Sequence, residues 1–110
     1  MKINSNLIEI ACEAYYSDDS GLVKWTTTTD YMASRMWRGM EAMLEKVVPL
    51  IAAGERVNSQ KVMLVALDGA FNVWCERENA WSLWVAHYGP EQYEVYAPAF
   101  KKALTAVFGE

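Results

Sequence analysis

Apolar side chains return every three or four residues along most of this chain, the spacing of helices that bury one side. Leu7, Ile8, Ala11, Ala14 and Tyr15 form the first such series. Asn6 is placed to cap it, with Glu9 three positions on as in a capping box. The turn formers Ser17-Asp18-Asp19-Ser20-Gly21 close it, which predicts a helix over about residues 6–17. Leu22 to Thr29 has strand-like composition, four successive threonines included. We read it as an ordered loop pinned by Trp25, with Thr27 capping a second helix and Asp30 favouring its positive end.

The second helix is predicted to run to about Val48. Met32, Met36, Met40, Met43 and Val47 lie in line along it, with Trp37 and Leu44 beside them. Methionine suits adaptable surfaces, but a line that coincides with the helix's only apolar side reads as core. Pro49 predicts an end or a kink, and Gly54 a left-handed stop.

Residues 59–88 decide the fold. Asp68-Gly69 between apolar neighbours is a hairpin signal, so strands over residues 62–88 in an α+β fold are the alternative. Helical periodicity opposes this. Lys61, Asp68, Asn72, Glu76 and Asn79 fall within about 80° of arc at 3.6 residues per turn. Trp74, Arg77, Trp81, Trp84 and Tyr88 fall within about 80° of the opposite side. Two patterns with the same period predict a helix capped by Asn58 or Ser59, either continuous to Tyr88 or broken near Glu78-Asn79. Gly69 weakens it and marks a close helix crossing. Gly89-Pro90 ends it, and Tyr93, Tyr96, Ala97, Phe100, Leu104 and Val107 form a last stripe that Pro98 should kink or restart. The prediction is an all-α bundle of four to five helices in a single domain, residues 1–110.

With 110 residues, 53% hydrophobic and 22% charged, the chain has enough apolar material for one core. A net charge of −4 with scattered basic residues disfavours nucleic acid as a partner, because phosphate binding needs a basic stripe. Nothing near the N-terminus resembles an apolar signal region, and no apolar run is long enough to span a bilayer. A cytoplasmic location with no membrane contact is the expectation.

Catalytic constellations are scarce. His87 is the only histidine, and no nucleophile motif or Gly-rich phosphate loop accompanies it. Glu9/Glu13 and Glu41/Glu45 are paired carboxylates at four-residue spacing, but the Glu-x-x-His of a di-iron bundle is missing. Cys12 and Cys75 lie in apolar runs and read as small core residues. No catalytic residue, metal ligand or cofactor is therefore expected.

The candidate site is Trp74, Arg77, Trp81, Trp84 and Tyr88. Its bland reading is the buried side of a central helix. Against that stands Arg77, since a guanidinium buried without a partner is costly. A Trp-Arg-Trp patch facing a partner or a second copy avoids the cost, and these residue types are enriched at interfaces.

Ala11-Cys12-Glu13-Ala14-Tyr15-Tyr16, then Trp25, then Arg35-Met36-Trp37-Arg38-Gly39-Met40-Glu41-Ala42-Met43-Leu44 resembles a pattern in small phage- and prophage-encoded helical accessory proteins. The resemblance covers about residues 7–47 and rests on structural residue types. It implies a phage origin and a non-enzymatic role in binding a host protein or complex in the host cytoplasm. An inhibitor of host defence, such as an anti-CRISPR, is one such role. The alternatives are a small-ligand or nucleotide-binding domain using His87, Tyr88 and the tryptophans, and a structural subunit of a phage particle.

Overall fold

In the computed structural model, which describes residues 3–16 and 30–109, the chain forms five helices. They are α1 (Ser5–Tyr16), α2 (Asp30–Ala52), α3 (Gln60–Trp74), α4 (Ala80–Tyr88) and α5 (Gln92–Phe108). The fold is all-α, and among the described residues 62–88 contain no strand. The Trp25 loop, the Thr27 cap and the turn at Ser17–Gly21 lie outside the described residues, as does the Met32 side chain.

The first helix starts one residue before the expectation, because Asn4 and not Asn6 caps it. The Asn6 backbone N–H donates to Asn4 Oδ1 at 2.8 Å. Leu7 and Ile8 N–H donate to the Asn4 carbonyl. A box closed by Glu9 is therefore not built. Ile8, Ala11 and Cys12 are the buried residues of this helix.

The second helix also outruns the expectation, passing through Pro49 to Ala52. Pro49 and Glu45 are both exposed, so the carbonyl left without its N–H partner by the proline faces water. The end comes where glycine permits it. Gly54 has φ +97°, Glu55 N–H donates to the Leu50 carbonyl and Gly54 N–H to that of Ile51. This is a Schellman closure. Pro98 behaves like Pro49, lying exposed inside a continuous α5.

Ser59 caps α3 as expected, its hydroxyl accepting from Val62 N–H at 3.1 Å. Helix α3 is the central element. Val62, Met63, Ala66, Leu67, Gly69, Ala70 and Phe71 are all buried on it, and it packs against α2, α4 and α5. Helix α1 packs on α5 and α2. One buried cluster joins the two groups through Met40, Met43, Leu44, Val47, Phe100 and Leu104. The methionine line of α2 is thus core at Met40 and Met43. Gly69 marks the crossing: a Cβ there would lie 3.1 Å from the Ala42 carbonyl oxygen and 3.2 Å from Met43 Cα.

The helix does not continue from Ser59 to Tyr88. It stops at Trp74 and restarts at Ala80. Glu76 takes a left-handed φ of +53°, with Arg77 N–H donating to the Asn72 carbonyl and Glu76 N–H to that of Val73. The closure is the same as at Gly54, made here by a residue with a side chain. Asn79 is left-handed too, at φ +56°. Asn72 Oδ1 accepts from Ala80 N–H at 3.0 Å, so a side chain of α3 caps the start of α4.

Candidate functional site

The break at residues 75–79 takes apart the continuous aromatic stripe, because angles summed over one helix cease to apply across it. Trp74 ends α3 and turns inward, with ring centroids 5.7 Å from Tyr15, 5.6 Å from Phe71 and 5.9 Å from Phe100. Its indole N–H donates to the Arg35 carbonyl at 3.0 Å. The Arg35 guanidinium donates to the Trp74 carbonyl in return. A Cβ on Gly39 would collide with the indole nitrogen at 2.1 Å, so the ring approaches α2 at a place where only glycine leaves room for it.

Trp81 is 6% exposed and Phe71 3%. Phe71 is the hub, set edge-on to Trp81 at 5.0 Å, to Trp84 at 5.4 Å and to Tyr96 at 5.1 Å. Such tilted geometries suit the charge distribution of aromatic rings. Trp84 is half-buried, and its indole N–H donates to Gln92 Oε1 of α5 at 3.0 Å. Tyr88, 52% exposed, lies against Trp84 at 4.5 Å. The five candidate residues thus divide. Trp74 and Trp81 lie in the aromatic cluster, Trp84 and Tyr88 lead outward from it, and Arg77 sits exposed in the link. Arg77 needs no buried partner there, which removes the reason for placing it between two tryptophans.

Cys75 corrects a further expectation: it is exposed, at the end of α3. Cys12 is fully buried, and burial pushes its thiol up to about 12, with a smaller contribution from the Glu9 carboxylate. Burial also raises Tyr15 to about 12, with Tyr96 adding to the shift. His87 is exposed, its ring edge-on to Tyr88 at 4.5 Å.

The surface feature that these elements build is a groove of about 650 Å³ between α3 and α4. Leu64, Val65 and Asp68 form its α3 wall, Trp81, Ser82 and Val85 its α4 wall, and Lys46 and Asn79 border it. Lys46 Nζ and Asp68 Oδ2 pair at 2.9 Å. Asp68 also accepts from Asn72 at 3.4 Å. Lys46 and Asp68 thus partner each other at the edge of the groove, while Leu64 stays 40% exposed and Leu83 on α4 45% exposed.

Of the groove residues only Trp81 belonged to the sequence-derived candidate. A signal for two others was present: at helical spacing Val65 falls within the polar stripe of α3 and Leu64 beside it. Lys46 and Ser82 carried none, since they join the groove only through the packing of α2 and α4 on α3. Among the described residues no three His, Cys, Asp or Glu side chains group as metal ligands do. No helix is long and apolar enough to cross a membrane, again among the described residues. Comparison with protein-family models found no match, and comparisons with curated proteins and with solved structures found none either.

Proposed function

We propose that the protein is a non-catalytic binding module that works by contact with another protein, through the α3–α4 groove and the outer side of α4. The observation that supports this most is the placement of apolar side chains. Leu64 and Leu83 are large, apolar and substantially exposed, and Leu64 lines an open groove together with the apolar Val65, Trp81 and Val85. Helix α4 is apolar almost throughout its sequence, yet only Ala80 and Trp81 on it are buried. Helices of that composition are ordinarily covered. Exposed apolar area bordered by polar groups, here Lys46, Asp68, Asn79 and Ser82, is the usual make-up of a protein interface.

The resemblance over residues 7–47 supplies the biological setting: a phage-type accessory protein acting in the host cytoplasm on a host protein or complex, as an anti-CRISPR does. Pairing of two copies through the same surface belongs to this reading. Capture from host lysate by immobilised protein tests it, with Leu64→Glu as the comparison. A charge at this exposed position leaves the core intact and abolishes capture. Equal capture by wild type and variant, or none by either at micromolar concentration, refutes the reading.

A second reading has one observation in its favour. A groove of about 650 Å³ has the volume of ordinary small-ligand sites, and the buried Trp81 forms part of its wall. Saturable thermal stabilisation by a nucleotide or another aromatic ligand would select this reading over the first.

A further inference from the structure

The two walls of the groove are held in different ways. The α2–α3 side is locked by backbone packing at Gly69, by the Lys46–Asp68 pair and by the reciprocal bonds of Trp74 and Arg35. Helix α4 has nine residues, too few to be stable as an isolated helix, so its helicity depends on docking. Its outer residues Ser82, Leu83, Ala86 and His87 are exposed. It has no side-chain cap bond from its own N-cap residue. Two polar contacts from neighbouring helices tether it: Asn72 at Ala80 and Gln92 at Trp84. At both ends the chain turns through left-handed backbone, at Glu76 and Asn79 on one side and Gly89 on the other.

We infer that α4 is the movable wall of this groove, undocking as a unit while α2 and α3 stay folded, and uncovering Phe71 when it does. The apolar hold on α4 is confined to Ala80 and Trp81, which are buried, and to Trp84 and Val85, which are half-buried, with both indoles set against Phe71 and Tyr96; a short segment held at so few positions is of the kind that opens below the global unfolding free energy. Trp81, Ser82 and Val85 leave with α4, so the groove widens and its floor extends to the aromatic hub. This rests on the groove being the binding surface, but its test involves no partner. A failed capture experiment and a failed exchange experiment are therefore separate results.

The test is native-state hydrogen exchange on the full chain, comparing amides of Leu83–Tyr88 with those of Val62–Phe71 across low urea concentrations. The α4 amides should exchange at least tenfold faster than the α3 amides, with a shallower urea dependence. Gln92→Leu removes the acceptor for the Trp84 indole and should speed α4 exchange roughly two- to tenfold, the worth of one hydrogen bond, leaving α3 unchanged. Gln92→Glu keeps an acceptor and should hold the wild-type rate. Identical rates and urea slopes for the two segments in the wild type would overturn the inference whatever the variants do. Equal acceleration of both segments by Gln92→Leu would overturn it as well.

Discussion

Replacing Gly69 by alanine sets two effects of known sign against each other. Alanine in a helix interior is favoured over glycine by about 1 kcal/mol. Here the new methyl group would stand 3.1 Å from the Ala42 carbonyl oxygen, 3.2 Å from Met43 Cα and 3.3 Å from Lys46 Cδ. Lys46 can swing aside, but the first two atoms are backbone of α2 and move only if the whole helix moves. Met43 is fully buried, so that displacement opens the core on the far side. Overpacking of this kind costs about 1–3 kcal/mol, and the net result should be a loss of about 1 kcal/mol against the propensity gain. In a domain of this size that lowers the melting temperature by about 4 °C. Gly69→Val, with two further methyl groups and a stiff χ1, should lose more. Thermal and urea unfolding followed by circular dichroism measures both. A Gly69→Ala protein more stable than the parent would show that α2 and α3 do not cross there in close contact.

Phe71→Ala removes the hub of the aromatic cluster and should cost about 3–5 kcal/mol, read from urea midpoints; a loss below about 1 kcal/mol would mean the rings do not converge on Phe71. A thiol reagent at about pH 8 should modify one cysteine per native chain, Cys75, and two in urea, because the buried Cys12 thiol stays protonated; mass spectrometry of the labelled peptides decides. Stability should decline in alkali. Unfolded Cys12 ionises from its ordinary 9.0 and unfolded Tyr15 from its ordinary 10.0, whereas in the fold both hold their protons to about 12. The unfolded chain then releases protons first, so stability is complete below about pH 9 and falls between there and about pH 12. Urea midpoints across that range check the sign, and Tyr15→Phe should flatten the upper part of the fall.

Helices were legible because their apolar period is local information. Ser59 and Gly54 worked as punctuation for the same reason: a hydroxyl three residues before a free N–H, and a glycine where φ must turn positive, act without distant neighbours. Pro49 and Pro98 neither end nor restart their helices, because whether a proline breaks a helix depends on what its orphaned carbonyl meets. On an exposed side water satisfies it. The end of α3 was harder still. Glu76 takes up a conformation normally left to glycine, and what holds it is remote: Phe71 buried among rings from α4 and α5, and Asn72 reaching the start of α4. A break near Glu78-Asn79 was one of the two forms the sequence allowed, but its start at Cys75 was not legible, and arithmetic over a single helix placed Arg77 between two tryptophans. The groove was illegible as a whole, since it draws on three helices, though Val65 within a polar stripe was a local sign of it.

The inward fold of the tryptophans over a broken helix is what separates a groove from a flat aromatic face. Multidimensional NMR on isotope-labelled protein tests it directly, through backbone shifts of residues 72–82 and NOEs from the Phe71 ring. The structure predicts helical shifts ending at Trp74 and resuming at Ala80, a left-handed signature at Glu76, and NOEs from Phe71 to Trp81, Trp84 and Tyr96. Unbroken helical shifts through Cys75–Asn79, with Phe71 showing no NOE to Trp84, would contradict it.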